Sequence, residues 1–132
     1  MKIKLKPMTF GPIFIHVDQD GNLRDDVDNP AIDRDNLCAT SPAVLQLFAL
    51  GSCIAISLAI AAKQMNIMLN AFDVEVTSRK SEDLPGRFGS FQVKVSQNII
   101  DDKKVHEELL SKAKSICTVS NTLNAEIVLS TF

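Results

Sequence analysis

Three thiols, Cys38, Cys53 and Cys117, are the residues of this 132-residue chain most suited to chemistry. A cysteine thiolate is a nucleophile and a metal ligand, and it starts an oxidation ladder that passes through sulfenic acid to a disulfide. Their spacing is wide and irregular and includes no CxxC pair, so neither a zinc pattern nor a disulfide framework applies. Taken singly, each thiol also fits a buried filler, because free Cys behaves as a small hydrophobe. His16 could lower a neighbouring thiol pKa as imidazolium, or end a strand at the surface, whereas His106 sits among charged residues and reads as solvated. Asp25, Asp26, Asp28, Asp33 and Asp35 crowd one stretch without the glycine and closing glutamate of a calcium loop, and read as solvated loop charge. Ser52 and Ser120 lack a GxSxG context, and the Leu-Pro-Gly-Arg run at 84–87 is a turn rather than a phosphate loop.

The elements that must position these thiols follow from periodicity. Cys53 lies in an uncharged run over 43–62, and the predicted helix spans residues 42–69, with Ser41 as its N-cap and Pro42 at the first helical position. That run is long enough to cross a membrane. Its Ala, Ser and Gly content, the absence of Trp and Tyr from the chain, and the lack of a second apolar segment point instead to a helix inside a soluble core or between subunits. Before it, Ile3 and Leu5 alternate with lysines and residues 12–17 form a β-branched run, so residues 1–40 read as short strands followed by a surface loop over 24–36. After it, Phe72, Val74 and Val76, then Phe91, Val93 and Val95, alternate with polar residues and predict a hairpin with a polar turn over 78–86. A second helix starts near Asp102, with Val105, Leu109, Leu110, Ala113 and Ile116 on its apolar stripe and Cys117 at its end. A helical turn at 118–123 and a strand at 126–130 close the chain. The order is that of one α+β domain over residues 1–132.

Composition narrows the function classes. A formal net charge of −2 gives no basic field for nucleic acid or anionic lipid. The N-terminus lacks the apolar core and cleavage site of a signal peptide, so a cytoplasmic protein without nucleic-acid or membrane partners is expected.

The segments SPAVLQLFALGSC at 41–53 and ICTVSNTL at 116–123 together resemble the OsmC/Ohr family of thiol peroxidases. In that family a small-residue-Pro start leads through an LxxALGxC helix to the first cysteine, and a CPVSNTL-like motif carries the second. The resemblance covers about residues 41–132. It implies antiparallel sheets around a long central helix, an intertwined homodimer, and reduction of organic or other hydroperoxides in peroxide defence. By position Cys53 would be the peroxidatic residue and Cys117 the resolving one, with no bound cofactor and an external dithiol, a lipoylated protein or dihydrolipoamide, as reductant. Cys38 has no counterpart and reads as structural or as a stray exposed thiol.

Two departures stand out. Thr118 replaces the motif's proline, and Ala43 and Val44 occupy the place where an acid should hold the activating arginine, Gln46 being the nearest polar residue. Arg24 and Arg34 are the upstream arginines that could serve the thiolate. The missing acid favours an alternative, an OsmC-like domain that binds an apolar ligand or senses redox state through its thiols.

Overall fold

Ile13, Ile15 and Val17 turn inward from a strand whose other residues stay at least partly open, and this alternation seats the strand on the core. The computed structural model describes residues 8–26 and 29–132; the expected strand around Ile3 and Leu5 lies outside the described residues. The elements are β1 (Thr9–Val17), β2 (Leu23–Asp25), α1 (Pro42–Gln64), β3 (Phe72–Lys80), β4 (Phe88–Val95), α2 (Lys103–Ile116), α3 (Thr118–Thr122) and β5 (Glu126–Thr131). One sheet in the order β2-β1-β3-β4-β5 carries all five strands. Its pairings are antiparallel except that β5 joins β4 in parallel. A parallel neighbour needs a long crossover, and α2 with α3 supplies it.

The α+β class and the element order agree with the sequence, while several boundaries move for local reasons. Helix α1 stops at Gln64, short of the predicted residue 69, because Asn66 adopts a left-handed φ of 56°. The Ile67 N–H then bonds the Ala62 carbonyl and the Asn66 N–H that of Lys63, a Schellman closure. At the other end Ser41 is the N-cap by position, yet its side chain makes no capping bond; Pro42 at N1 removes one of the donors that would need it. Strand β3 runs on through Ser78, which the alternation left to a turn, because its second half is paired on both sides by β1 and β4. A short edge strand, β2, lies within the stretch read as loop, held only by β1. His106 is buried, contrary to expectation: the inward stripe of α2 is His106, Leu109 and Ala113, at helical spacing, and Ile116 turns outward.

Helix α1 lies across the sheet. Val44, Leu47, Leu50, Ile54, Leu58 and Ala61 are buried in the core with Val74, Val76, Val93 and Phe91. Although α1 is long and apolar enough to cross a bilayer, this packing makes it the core helix of the fold. Gly51 marks its closest approach: a Cβ there would stand 2.7 Å from Ile15 Cδ1 and 2.9 Å from Val76 Cγ2. The outward face of the same helix stays apolar, with Ile56 and Ile60 about half exposed.

Gly51→Ala therefore tests the packing. Helix propensity favours alanine by about 1 kcal/mol, whereas forcing a methyl against a β-branched neighbour costs about 1–3 kcal/mol. Urea unfolding should show a net destabilisation of about 1 kcal/mol; a stabilised variant would contradict the close seating of α1.

Candidate functional site: a buried thiol pair

Cys53 sits midway along α1 and is half-buried, whereas Cys117 is fully buried at the junction of α2 and α3. Since Gly51 faces the sheet, two residues of helix turn Cys53 to the other side, where α2 and α3 pack on α1. There the two thiols are neighbours, close enough for Cys53 to act on the Cys117 proton. Ser57, one turn beyond Cys53 on the same helix face, is buried and lies near Cys117 as well. Cys117 ends α2 and caps α3, its Sγ accepting the Ser120 N–H at 3.5 Å. This geometry accommodates the motif departure: Thr118 occupies the first position of α3, where proline is favoured because no intrahelical donor is needed.

Burial, then the neighbouring Cys53 thiol, pushes the Cys117 thiol up to about 11, against the opposing donation from Ser120. Cys117 is thus held as a thiol. Cys38 stands apart and exposed, at the middle of the short 3-10 turn Leu37–Ala39.

On the Leu45–Phe48–Ser52 stripe of α1, next to the Cys53 side, lies a cavity of about 450 Å³, lined also by Ile15, Leu23 and Asp25; neither thiol of the pair lines it. It reaches the residue preceding Cys53, and its outer wall is built from β2 and the segment leading to α1. The arginines are placed on that wall rather than at the sulfur. Arg34 Nη1 donates to both Asp25 carboxylate oxygens at 2.9 Å, and its other nitrogen donates to the Asp26 carbonyl. Arg24 contributes to the cavity rim from an edge-strand position opposite His16. Neither arginine makes a hydrogen bond to Cys53 or an ion pair with an acid of α1 among the described residues. Val44 is buried in the core, Ala43 beside it carries no polar group, and Gln46 is only partly covered, so the first turn of α1 offers no carboxylate.

Sequence reasoning missed the acid that does hold an arginine. Asp25 was read as one of several solvated loop charges, and β2 brings it into register with Ile15 at the cavity. It missed equally the surroundings of His16, whose Nδ1 lies 2.6 Å from Asp73 Oδ1 and whose Nε2 lies 2.7 Å from Asp26 Oδ1. These two hydrogen bonds, the one to Asp26 foremost, raise the His16 pKa above its ordinary 6.5 against a smaller opposing effect of burial. Alternation along β1 and β3 could have put His16 and Asp73 on one face, but their pairing depends on strand register.

A family model described as OsmC-like protein matches residues 33–132. Among solved structures, the chain is similar to the organic hydroperoxide resistance protein OhrB of Bacillus subtilis, at 19% identity and a TM-score of 0.62, with 96% of each chain covered. It is similar also to the organic hydroperoxide resistance protein OsmC of Legionella pneumophila, at 18% identity and a TM-score of 0.63, again with 96% of each chain covered. An OsmC-like protein of Mycoplasma pneumoniae gives 14% identity and a TM-score of 0.64, covering 100% of this chain and 98% of that one. A comparison with curated proteins finds no match.

The raised Cys117 pKa can be measured directly. In protein carrying Cys38→Ser, thiolate absorbance followed against pH should show Cys117 titrating near about 11, and Cys53→Ala should move that titration downward by removing the neighbouring thiol. An unmoved midpoint in Cys53→Ala would mean that the two thiols are not in contact.

Proposed function

The chain belongs to the family of OsmC-like proteins, and on that premise we propose that it is a cysteine-based hydroperoxide reductase working through Cys53 and Cys117. The observation that carries this reading is the proximity of the two thiols, brought together where α2 and α3 pack on α1. Of the pair, Cys53 is the less buried sulfur, and the preceding residue, Ser52, lines a largely apolar cavity suited to the organic part of a hydroperoxide. Its thiolate attacks the terminal peroxide oxygen, the O–O bond breaks, and the leaving alkoxide takes a proton to depart as alcohol, or as water from hydrogen peroxide. Cys53 is then a sulfenic acid. Cys117 attacks the Cys53 sulfur, the S–O bond breaks, water leaves, and a Cys53–Cys117 disulfide remains.

The raised Cys117 pKa fits this order of events. Before oxidation Cys117 keeps its proton and can support a thiolate at Cys53; afterwards Cys53 no longer opposes deprotonation of Cys117. An external dithiol, such as dihydrolipoamide or a lipoylated protein, restores both thiols by exchange, and sulfur carries both electrons without a resident cofactor. Arg34, held by Asp25, or Arg24 at the rim supplies the cation for the thiolate if the cavity wall closes toward Cys53. We place the protein in the cytoplasm, where thiols stay reduced between turnovers. The half-exposed Ile56 and Ile60 on the outward face of α1 are the surface for a second copy, giving a homodimer in which that helix is covered.

A second reading, a thiol sensor or apolar-ligand domain, is favoured by one observation: no carboxylate on the first turn of α1 holds an arginine toward Cys53. Turnover separates the two. Cys53→Ser should abolish hydroperoxide consumption in the presence of a dithiol, whereas Cys117→Ser should complete one oxidation and stop at sulfenic or sulfinic acid on Cys53. Full consumption by Cys53→Ser would refute the assignment, and stoichiometric oxidation without turnover would identify a sensor. For the assembly, sedimentation at micromolar protein should show a dimer that Ile56→Lys weakens; a folded monomer of the unaltered chain would contradict it.

A further inference from the structure

The geometry points to His16 as a positioning residue: doubly protonated, it clamps Asp26 at the end of β2 to Asp73 on β3, and so holds the wall of the cavity that Ser52 lines in a proton-dependent way. The inference rests on the proposed activity only for its consequence at the thiols. Both ring nitrogens face carboxylate oxygens, at 2.6 Å and 2.7 Å. An ionised carboxylate only accepts, and a neutral imidazole has one N–H, so both bonds can be donated together only by the imidazolium. Loss of one proton leaves two carboxylates competing for one donor, and one of them is released.

The release falls on a weakly held element. Strand β2 has three residues and pairs only with β1, whereas Asp73 belongs to β3, which is paired on both sides. Asp26 is therefore the end that opens. Its backbone carbonyl accepts from Arg34, whose other bonds go to Asp25, and Asp25 lines the cavity. The clamp thus reaches the segment that carries both candidate arginines. Other charged groups share the environment: Arg24 stands opposite His16 on β2, Asp18 follows the end of β1, and Glu75 lies two residues beyond Asp73 on β3. Asp18 is occupied by the turn amides of Asp20 and Asn22, and the ring of Phe14 stacks on His16 from the same face of β1.

The sign of the effect follows from the raised folded-state pKa. The clamp's contribution is complete below the unfolded value of about 6.5, and it is lost as pH rises through the higher folded value. Mildly alkaline conditions should loosen the wall while leaving β3 and β4 intact.

The test combines the His16 ring titration by NMR with amide hydrogen exchange, corrected for intrinsic rate, between about pH 6 and about pH 9. In the unaltered protein, protection of residues 23–26 should fall about tenfold through the same inflection that titrates His16, as expected for one lost charge-assisted bond. Asp26→Asn should move that inflection to lower pH, and His16→Gln should leave exchange without an inflection. If His16→Gln fails to fold, the shift in Asp26→Asn still decides. A His16 midpoint at or below the ordinary value, or protection at 23–26 that follows no titration, would overturn the clamp. Hydroperoxide oxidation of Cys53 measured on the same samples separates the two ideas. An exchange inflection without oxidation at any pH defeats the proposed activity and keeps the clamp, and oxidation without the inflection does the reverse.

Discussion

The thiol pair depends on how closely α1 can lie against β1 and β3. Gly51 makes that approach: the side chains of Ile15 and Val76 occupy the space a methyl group would take. With the helix seated there, its rotation is fixed by the buried residues on either side, Leu47, Leu50, Ile54 and Leu58. Cys53, two residues past the glycine, must then point toward α2 and α3, and Ser57 follows one turn later on the same side. The motif glycine and the motif cysteine form one geometric unit, a contact and the direction it imposes. The second thiol arrives from a different element, because Cys117 both ends α2 and caps α3, so its sulfur sits where the chain turns rather than on a helix face.

Two environments of opposite character flank α1 around Ser52 and Cys53. On the inner side Cys117 and Ser57 are buried, and low polarity keeps the Cys117 proton in place. On the outer side a cavity is walled by a segment held largely through charge, with Arg34 on Asp25 and His16 between Asp26 and Asp73. The inner contacts depend on packing and should be insensitive to moderate changes of pH. Exposed ion pairs contribute little to global stability, so the outer contacts act mainly by setting where the wall rests.

Much of this was legible in the sequence, and the remainder fails for identifiable reasons. Strand alternation at Phe72–Val76 and Phe91–Val95, the Pro42 start of α1 and the Asp102 cap of α2 are local signals, and local physics decided them. The early end of α1 was also encoded, in Asn66, whose tolerance of a left-handed backbone outweighed the apolar residues that follow it. The two thiols could be nominated by their motifs, but their contact depends on packing α2 and α3 against α1, which no spacing gives. His106 was misjudged because its charged sequence neighbours lie on other faces of the helix, while its helical neighbours Leu109 and Ala113 are buried. Asp25, Asp26 and Asp73 acquired partners through strand register and loop closure over up to 57 residues.

The most direct measurement is intact mass and peptide mapping of the fully reduced protein after exposure to about one equivalent of an organic hydroperoxide, the stoichiometry of one disulfide per peroxide. The protein should lose two hydrogens, located in a peptide that joins Cys53 to Cys117, with Cys38 unchanged. Both thiols recovered unmodified, or oxidation confined to the exposed Cys38, would contradict this pairing.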